Sequence, residues 1–594
     1  MQIKNILTIL FSVLIFGSCQ NKMKNDSPSR DIHILFENYY QDRLKIFPIE
    51  ASIQGDNRYN NLLPVDISES YRETERNFFR SYLDSLKEYK RDSLKTIDQD
   101  SYDILRHELE IGLAGLAFND YLMPVNQFSC LTLVFGQMGT GTSFQPFKNA
   151  KDYDDFLGRV NGFQAWCDTA ISNMRRGMAE GVVQPKILME RVLPQLAAMD
   201  VKEASQSIFY MPVKNFPETI SAPDRARLDS AYRKAIMEQI VPSYRKLHDF
   251  IKDEYISKCV NTAGIGALPG GKELYAYDAK YWTTTDMNTD AIFDLGNKEV
   301  ARLRAEMEKI KEQTGFKGDL KSFFTYLNTD KKFFPFHSPE EVIAAFNQVH
   351  ERMKPQLKKL FDVEPKTKFE VRRTEQFREA SSSAEYNQGT PDGSRPGIFY
   401  TPIPDATKFN TFGMEDLFLH EAIPGHHYQI SLAQENDSLP KFRRFLNYGA
   451  YDEGWALYTE SLGKELGLYT DPYQYFGALS EEMHRAIRLV VDVGMHLKGW
   501  TREQAIEFSL ENEGESKEAI ISEIERYMAY PGQALSYKIG QLKIRELRAR
   551  AEKELGASFS IAKFHDAILD SGSMPLSVLE GKVNRWIEAQ KKNS

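Results

Sequence analysis

Apolar residues recur at helical spacing over most of this chain. In two long segments they fall three or four positions apart, so each segment has one apolar face and one polar face. The second segment stops before Gly315, and glycine commonly follows a helix end. The apolar positions are Phe78, Tyr82, Leu86 and Tyr89 in the first segment and Ile292, Leu295, Val300, Leu303, Met307 and Ile310 in the second. The pattern predicts a mainly α-helical protein.

The sequence Ser338-Pro339-Glu340-Glu341 has the features of a helix start. Serine is a preferred N-cap residue, proline fits the first helical position, and a glutamate three residues after the cap can bond back to it. Apolar residues then repeat at helical spacing, at Val342, Ile343, Phe346, Val349 and Met353. We therefore predict a helix that begins at Pro339.

Strand signals are few. They cover residues 368–373 and 398–401, and a Ser/Gly/Pro-rich stretch over residues 381–396 separates them. Both lie just before a histidine-rich segment that begins at His420. The sequence therefore predicts a small β-sheet next to that segment.

The composition is that of a globular protein and argues against one class of partner. The chain has 594 residues, of which 42% are hydrophobic and 27% are charged. That is enough for a large core, and the length allows about two to four domains. The formal net charge is -9, and no basic run is long enough to suggest a local exception. We expect no nucleic-acid binding.

The amino terminus has the features of a bacterial lipoprotein signal peptide. Lys4 precedes an apolar run over Ile6–Phe16, and the sequence Phe16-Gly17-Ser18-Cys19 follows it. The run is too short for a conventional membrane-spanning helix. We predict a signal peptide over residues 1–18, lipidation of Cys19, and a polar tether over residues 19–29. The mature protein is then anchored to a membrane on the periplasmic or cell-surface side of a bacterial envelope.

Three histidines lie in the eight residues His420-Glu421-Ala422-Ile423-Pro424-Gly425-His426-His427, and Glu453 follows downstream. A catalytic zinc usually takes three protein ligands from histidine and carboxylate and leaves a position for water. These residue types predict a zinc hydrolase in which Glu421 is the general base. The ordinary alternative is a chance cluster at a helix end, where histidine complements the terminal carbonyls.

The spacing differs from the familiar His-Glu-x-x-His helix, in which histidines four residues apart face one ion. Pro424 stands at that position, and His426 would face about 240° away from His420 in a regular helix. Because proline kinks a helix and glycine tolerates unusual dihedral angles, a bulge at Pro424-Gly425 could bring His426 to the metal. His427 lies on the same face as His420 but about 10 Å along the axis. The second ligand is therefore His426 or His427.

Several segments resemble the bacterial lipoprotein family called domain of unknown function 885. Their order and spacing match that family, and together they extend over nearly all of the mature chain. The segments are Leu268–Gly271, Tyr281–Thr285, Gly397–Tyr400, His420–Gln429, Glu453–Glu460 and Tyr530–Gly540. Their arrangement is similar to the gluzincin peptidases, particularly the thimet-oligopeptidase-like and thermostable carboxypeptidase-like enzymes.

The gluzincin resemblance implies a set of metal ligands. By that resemblance Glu453 is the third zinc ligand, beside His420 and His426. Glu460 lies seven residues later and would orient a ligand histidine, as metal sites usually require. An exposed helix face is the alternative for Glu460.

The same resemblance implies how a substrate would bind. Tyr537, or as second candidate Tyr530, would donate a hydrogen bond to the developing oxyanion, although both could instead be packing residues. An edge strand containing Phe399 and Tyr400 would bind an extended substrate through its backbone, although it could be a purely structural hairpin. The resemblance also implies a two-lobed helical fold with a deep cleft.

A polar group between Glu453 and the tyrosine segment offers further candidates. His484, Arg485, Arg488, Asp492 and His496 share one helix face, where they could bind a peptide carboxylate, support Glu453 or form a structural network. Because arginine suits bidentate carboxylate binding, we assign substrate recognition to Arg485 and also to Arg526. We assign Asp492 to the support of the metal ligands.

These features together predict a mainly helical, two-lobed zinc peptidase that cleaves short peptides. Its helical amino-terminal region covers residues 30–260, and its catalytic region covers residues 261–594. One alternative is a helical lipoprotein that captures glycans or peptides without catalysis. Another is a zinc amidase or esterase that acts on a non-peptide substrate. Tightly bound metal distinguishes either hydrolase from the capture protein.

Overall fold

The computed structural model describes residues 31–375, 379, 383–390 and 395–593. These residues are mainly α-helical and include one three-stranded sheet, which confirms the predicted fold class. None of the described helices is long and apolar enough to cross a membrane. The predicted signal peptide, Cys19 and the tether lie outside the described residues.

Residues 31–260 form ten helices that are joined by short connections. Two π-helical turns, Ile236–Ile240 and Ile251–Tyr255, flank the last of them. The helices are α1 (Ile32–Ile46), α2 (Pro48–Ile53), α3 (Glu69–Lys87), α4 (Thr96–Gly115), α5 (Leu131–Gly139), α6 (Ala150–Glu180), α7 (Lys186–Ala197), α8 (Met211–Lys214), α9 (Ala222–Ala235) and α10 (Val241–Phe250).

The sheet interrupts the helices in the second half of the chain. Before it come α11 (Gly271–Thr283), α12 (Thr289–Gln313), α13 (Leu320–Thr329) and α14 (Pro339–Leu360). Its strands are β1 (Phe369–Arg373), β2 (Glu385–Asn387) and β3 (Gly397–Thr401). After it come α15 (Met414–Glu421), α16 (His426–Glu435), α17 (Lys441–Arg444), α18 (Gly449–Glu460), α19 (Pro472–Leu497), α20 (Arg502–Asn512), α21 (Lys517–Ala529), α22 (Leu535–Leu555), α23 (Ile561–Leu569) and α24 (Leu576–Asn593).

Local sequence signals account for α14. It begins at Pro339, as predicted, and the hydroxyl of Ser338 accepts a hydrogen bond from the backbone N–H of Glu341. The carboxylate of Glu341 in turn accepts from the backbone N–H of His337. The apolar face is buried against the core, with Ile343 at its half-buried margin. Capping and periodicity therefore suffice to define this helix.

The sheet differs from the predicted one in its strand order. The order is β1-β3-β2, with β3 parallel to β1 and antiparallel to β2. The strand of Phe399 and Tyr400 is therefore the central one, and the prediction that it is a substrate-binding edge strand is wrong. The edge strand on that side is β2, which lies within the Ser/Gly/Pro-rich stretch between the two predicted strands.

Two hydrophobic cores organise the described chain. The first contains side chains of α1 to α4, α11, α14 to α18 and α22 to α24. The second contains side chains of α5 to α10, α13, α20 and α21, while α12 and α19 contribute to both. Since α1 to α4 share a core with α15 and α18, the predicted boundary at residue 260 does not separate the cores.

Candidate metal centre

The histidine-rich segment is a broken helix. Helix α15 ends at Glu421 and α16 begins at His426, and the Ile423-Pro424 peptide bond between them is cis. Gly425 lies so close to α15 that a Cβ there would be 2.0 Å from the carbonyl oxygen of His420. A straight helix is therefore excluded, and only glycine fits this close approach.

Helix α18 holds both sides of the break. The indole Nε1 of Trp455 donates to the carbonyl oxygen of Pro424 at 2.9 Å. The hydroxyl of Thr459 donates to the carbonyl oxygen of Leu419 at 2.8 Å. Because Glu453 is on the same helix, these bonds fix it relative to both histidine-bearing helices.

Three ligand-type side chains converge at the break. Oε2 of Glu453 lies 3.5 Å from Nε2 of His420 and 3.7 Å from Nε2 of His426. The three ligand atoms lie within 4.8 Å of one another. His427 is directed elsewhere, with Nδ1 2.9 Å from the hydroxyl of Tyr386. Of the two histidines left open by the sequence, the structure places His426 in the cluster.

Glu460 lies behind the cluster. Its carboxylate is 2.7 Å from Nδ1 of His420, so it can accept a hydrogen bond while Nε2 faces Glu453. Seven residues separate Glu460 from Glu453, which places both on nearly the same face of α18. A carboxylate that fixes the ring and tautomer of a ligand histidine is typical of metal sites. His426 has no such support, because its buried Nδ1 has no hydrogen-bond partner among the described residues.

The electrostatics of the cluster favour a cation. Burial lowers the pKa of His420, but hydrogen bonds to Glu453 and Glu460 raise it well above its ordinary value. Burial raises the pKa of Glu453, but the hydrogen bond to His420 and the charges of His426 and His420 lower it to about 2. Burial lowers the pKa of His426 to about 4. Glu453 is thus ionised and His426 neutral at neutral pH, and a metal ion would take the place of the proton that His420 holds.

The donor set fits zinc. Two imidazole nitrogens and one carboxylate oxygen are a common ligand set of catalytic zinc sites. Tetrahedral zinc at about 2.0–2.2 Å from each ligand requires ligand atoms roughly 3.4 Å apart. The 3.5 Å and 3.7 Å separations are close to that value. The described ion pairs of Glu453 are with the two histidines, so the cluster has no lysine or arginine to take the place of a metal.

Glu421 lies beside the cluster in a cavity of about 250 Å³ that His420 and Glu460 also line. Burial raises the pKa of Glu421 to about 7, and the charge of His420 opposes that rise. A hydrogen bond from the backbone of Tyr386, on β2, lowers the pKa further. The group can therefore exchange a proton near neutral pH.

A second cavity, of about 430 Å³, lies towards the start of α18. Asp452 and Gln429 line it together with the aromatic rings of Trp282 and Tyr448. One carboxylate oxygen of Asp452 accepts a hydrogen bond from the backbone N–H of Tyr448. Asp452 and this larger cavity therefore lie on the side of the metal cluster towards the start of α18. The smaller cavity lies beside Glu421.

Tyr537 lies on α22, which packs very closely against α18, the helix of Glu453. A Cβ on Gly454 would lie 2.5 Å from Cα of Gly540, one turn after Tyr537. The guanidinium of Arg488 lies 4.4 Å from the centre of the Tyr537 ring. The hydroxyl of Tyr537 makes no hydrogen bond to the described residues.

Tyr530 is at the end of α21 and packs on Trp282, with ring centres 5.1 Å apart. Its hydroxyl also makes no hydrogen bond within the described part of the chain. Trp282 lines the larger cavity, so Tyr530 lies on that side of the centre, whereas Arg488 places Tyr537 beside α19.

Two predicted site residues have other roles. Asp492 is fully buried and accepts hydrogen bonds from the hydroxyl of Tyr275 and the backbone N–H of Gly532. It therefore holds the loop between α21 and α22, and the expectation that it supports a metal ligand is wrong. Phe399 is fully buried against Phe346 and is a core residue, which excludes it from substrate contact.

Arg526 is also committed to structure. Nε and Nη2 donate to Glu523 at 3.1 Å and 2.9 Å, and Nη1 donates to Gln533 at 2.7 Å. All three nitrogens therefore have partners, which argues against substrate recognition. Arg485, in contrast, lines the cavity of Glu421.

Two residues at this site were missed from the sequence. Glu481 lines the same cavity and pairs with Arg485, and their spacing of four residues on α19 is a signal that could have indicated the pair. Tyr386 brings β2 against Glu421, but nothing in its Ser/Gly/Pro-rich surroundings predicts a strand.

Two solved structures resemble this fold. One is a "putative lipoprotein" from Colwellia psychrerythraea with 27% sequence identity and a TM-score of 0.85, which covers 94% of this chain and 99% of that one. The other is a "putative lipoprotein of unknown function" from Shewanella oneidensis with 19% identity and a TM-score of 0.73, which covers 93% of this chain and 99% of that one. The second shows similarity of fold alone.

No curated protein matches the sequence. The family model described as "Bacterial protein of unknown function (DUF885)" matches residues 48–583. That range spans most of the chain and includes every element of the metal centre. The chain therefore belongs to the DUF885 family.

Proposed function

We propose that this protein is a zinc-dependent peptidase with Glu421 as its general base. One observation carries the proposal: the ligand atoms of His420, His426 and Glu453 converge beside a cavity that Glu421 also lines. A cluster of metal ligands with a base of suitable pKa beside it is the minimum for metal-assisted hydrolysis.

Zn²⁺ held by these three residues would supply Lewis-acid polarisation of water and of a substrate carbonyl. Glu421 accepts a proton from the attacking water and returns it to the leaving amine. Its raised pKa, about 7, suits both transfers near neutral pH. Glu460 keeps His420 in the tautomer that leaves Nε2 free for the metal.

Tyr537 is our first candidate for oxyanion stabilisation, and Tyr530 is the second. Both hydroxyls are free of hydrogen bonds to the described residues, so either can donate to a substrate oxygen. Tyr537 lies on the helix that packs directly on the helix of Glu453, which favours it. A well-aimed donor of this kind contributes about 10²- to 10³-fold to kcat.

Short peptides are the substrate class that we propose. Edge strands bind extended peptides through backbone hydrogen bonds, and β2 is an edge strand of the described sheet next to Glu421. This role replaces the one predicted for Phe399 and Tyr400. Tyr400 is half-buried on the central strand, where both backbone sides pair with neighbouring strands.

We propose further that the mature protein is anchored to a bacterial envelope membrane through a lipid on Cys19. The signal sequence supports this anchor. The similar crystal structure from Colwellia psychrerythraea, described as a putative lipoprotein, supports it as well. Labelling of the full chain with a radioactive fatty acid in cells tests the anchor, since Cys19→Ala should abolish incorporation.

The decisive activity test compares the wild-type protein with Glu421→Gln on a library of short peptides. We expect both proteins to bind the same amount of zinc, whereas hydrolysis falls by about 10²- to 10⁴-fold in the variant. Glu518→Gln, at an exposed position on α21, is the matched control and should retain full activity. Unchanged hydrolysis by Glu421→Gln would remove this residue from the mechanism.

Two other outcomes would redirect the proposal. Hydrolysis of esters or non-peptide amides without any peptide cleavage would indicate an amidase or esterase that uses the same site. Absence of zinc from the protein, even after zinc addition, would favour a capture lipoprotein without catalysis.

A further inference from the structure

Arg485 lines the same cavity as His420 and Glu421. It projects from α19, and its Nη1 donates to Glu481 one turn earlier on that helix. Its Nε is buried without a hydrogen-bond partner, and Nη2 makes no hydrogen bond to the described residues. A guanidinium has five N–H donors, so most of the donors of Arg485 are unused.

The two nitrogens of Arg485 without a described partner are Nε and Nη2. In other arginines of this chain, the same two nitrogens bind carboxylates. Nε and Nη2 of Arg43 donate two hydrogen bonds of 2.9 Å to the carboxylate of Glu50. The same two atoms of Arg373 donate two hydrogen bonds of 2.8 Å to the carboxylate of Glu379. This fork matches the geometry of a carboxylate, which accepts both bonds at once.

Arg488 and Arg526 cannot bind a further carboxylate in this way. All three nitrogens of Arg526 have partners, and Nε and Nη2 of Arg488 donate to Tyr527 and Glu523. Among the described residues that line the cavity, the other cationic side chains are His420 and Lys408. Lys408 is 81% exposed and pairs with Asp405, so it belongs to the rim.

We propose that Arg485 binds the C-terminal carboxylate of the peptide substrate and that the enzyme therefore cleaves from the carboxyl end. This inference rests on the proposed peptidase function and names its substrate class. Glu481 already pairs with Arg485 and Glu460 with His420, while Asp416, which also lines the cavity, accepts a hydrogen bond from the hydroxyl of Tyr469. A substrate carboxylate bound to Nε and Nη2 leaves the ion pair with Glu481 intact, because that pair uses Nη1.

The size of the cavity fits a terminal residue. Its volume of about 250 Å³ is below the 300–1,000 Å³ that is typical of sites for drug-sized ligands. The cavity is therefore large enough for one terminal residue with its carboxylate. A cavity of about 600 Å³ adjoins it and shares Glu481 with it, whereas Arg485 lines the smaller cavity and not the larger one.

The test compares the free acid and the C-terminal amide of one peptide, N-acetyl-Ala-Ala-Phe-Ala. The zinc-loaded wild-type protein should release the last residue of the acid, and kcat/KM should be about 10- to 100-fold lower for the amide, because charge-assisted hydrogen bonds are lost. Arg485→Gln should remove that preference, mainly through a higher KM for the acid. Arg526→Gln is the matched control and should keep the preference.

Binding provides a second readout that needs no turnover. Zinc-loaded Glu421→Gln should bind the acid about 10- to 100-fold more tightly than the amide in calorimetry. If Arg485→Gln fails to fold, Arg485→Lys keeps the charge, loses the fork and should still lose most of the preference.

The outcomes separate this inference from the proposed function. Equal cleavage and equal binding of acid and amide would overturn the role of Arg485 while the peptidase function stands. Preferential binding of the acid without cleavage of either peptide would support the carboxylate site but count against the peptidase. Absence of both cleavage and binding would overturn both.

Discussion

The metal centre and the charge cluster around Lys538 are both buried groups of ionisable side chains, but their organisation differs. The ammonium of Lys538 is fully buried and meets Glu482 at 2.6 Å, Gln541 at 2.8 Å and Glu299 at 3.1 Å. Those three acceptors match its three N–H donors. Arg302 and Arg545 also donate hydrogen bonds to Glu482.

In the metal centre, the described ion pairs of Glu453 are with imidazoles alone, and His420 holds the proton that pairs with its carboxylate. Nε2 of His420 and Nε2 of His426 face the ionised carboxylate of Glu453, and the described residues add no arginine or lysine. The cluster around Lys538 is complete without a further ion, whereas the metal centre is complete only with a proton or a metal. Burial of charge alone does not identify a site; the direction of the donors and acceptors does.

The largest effect is expected from Lys538→Met, which should destabilise the protein by about 3–5 kcal/mol, because Glu482 and Glu299 lose the buried ammonium between them and keep only partly exposed arginines as partners. Urea unfolding followed by circular dichroism measures this loss. Below the unfolding transition the variant should still bind zinc as the wild type does. Loss of zinc without loss of stability would show that the two clusters are not separate.

A smaller effect is expected from Glu460→Gln, which keeps an acceptor for His420 but removes the charge behind it. Zinc affinity should fall by about 10- to 100-fold, the usual effect of altering a residue that orients a ligand. Competition with a fluorescent zinc chelator measures the affinity, and Glu518→Gln serves as the control. An unchanged affinity would show that Glu460 does not orient His420 in the metal-bound protein.

The smallest effect concerns Asp492, a buried carboxyl group in neither cluster. Burial raises its pKa from 3.8 to about 7. A raised acid pKa means that the unfolded chain releases this proton first, so stability is lost as pH rises between about 4 and 7. Asp492→Asn stays neutral and does not lose this stability. The difference in free energy of unfolding between the variant and the wild type should therefore increase by about 1–2 kcal/mol, in favour of the variant, from pH 5.5 to pH 8. Thermal unfolding at the two pH values measures the gain, and an equal difference at both would contradict it.

Features set by local sequence were predictable. The start of α14 follows from Ser338, Pro339 and Glu341, because capping and proline preference act within one turn. The need for a bulge at Pro424-Gly425 followed from the angle between His420 and His426 in a regular helix. The ligand types and their general base could therefore be proposed from sequence.

Features set by distant partners were not predictable. Phe399 has the composition of a strand residue, but only its pairing with two strands shows that it is central. Asp492 resembles a site residue until its partners on other segments, Tyr275 and Gly532, are known. The choice between His426 and His427 depends on the backbone dihedral angles in the break, which spacing alone does not define.

The most direct test of the account is calorimetric zinc titration of the mature chain without its lipid, residues 20–594, as wild type, His426→Ala and His427→Ala. His427 is buried one residue away from the cluster, which makes it the matched control. The account predicts one zinc per chain in the wild type and in His427→Ala, and no comparable binding in His426→Ala. A wild type without zinc, or a His426→Ala variant that binds it like the wild type, would contradict the metal centre.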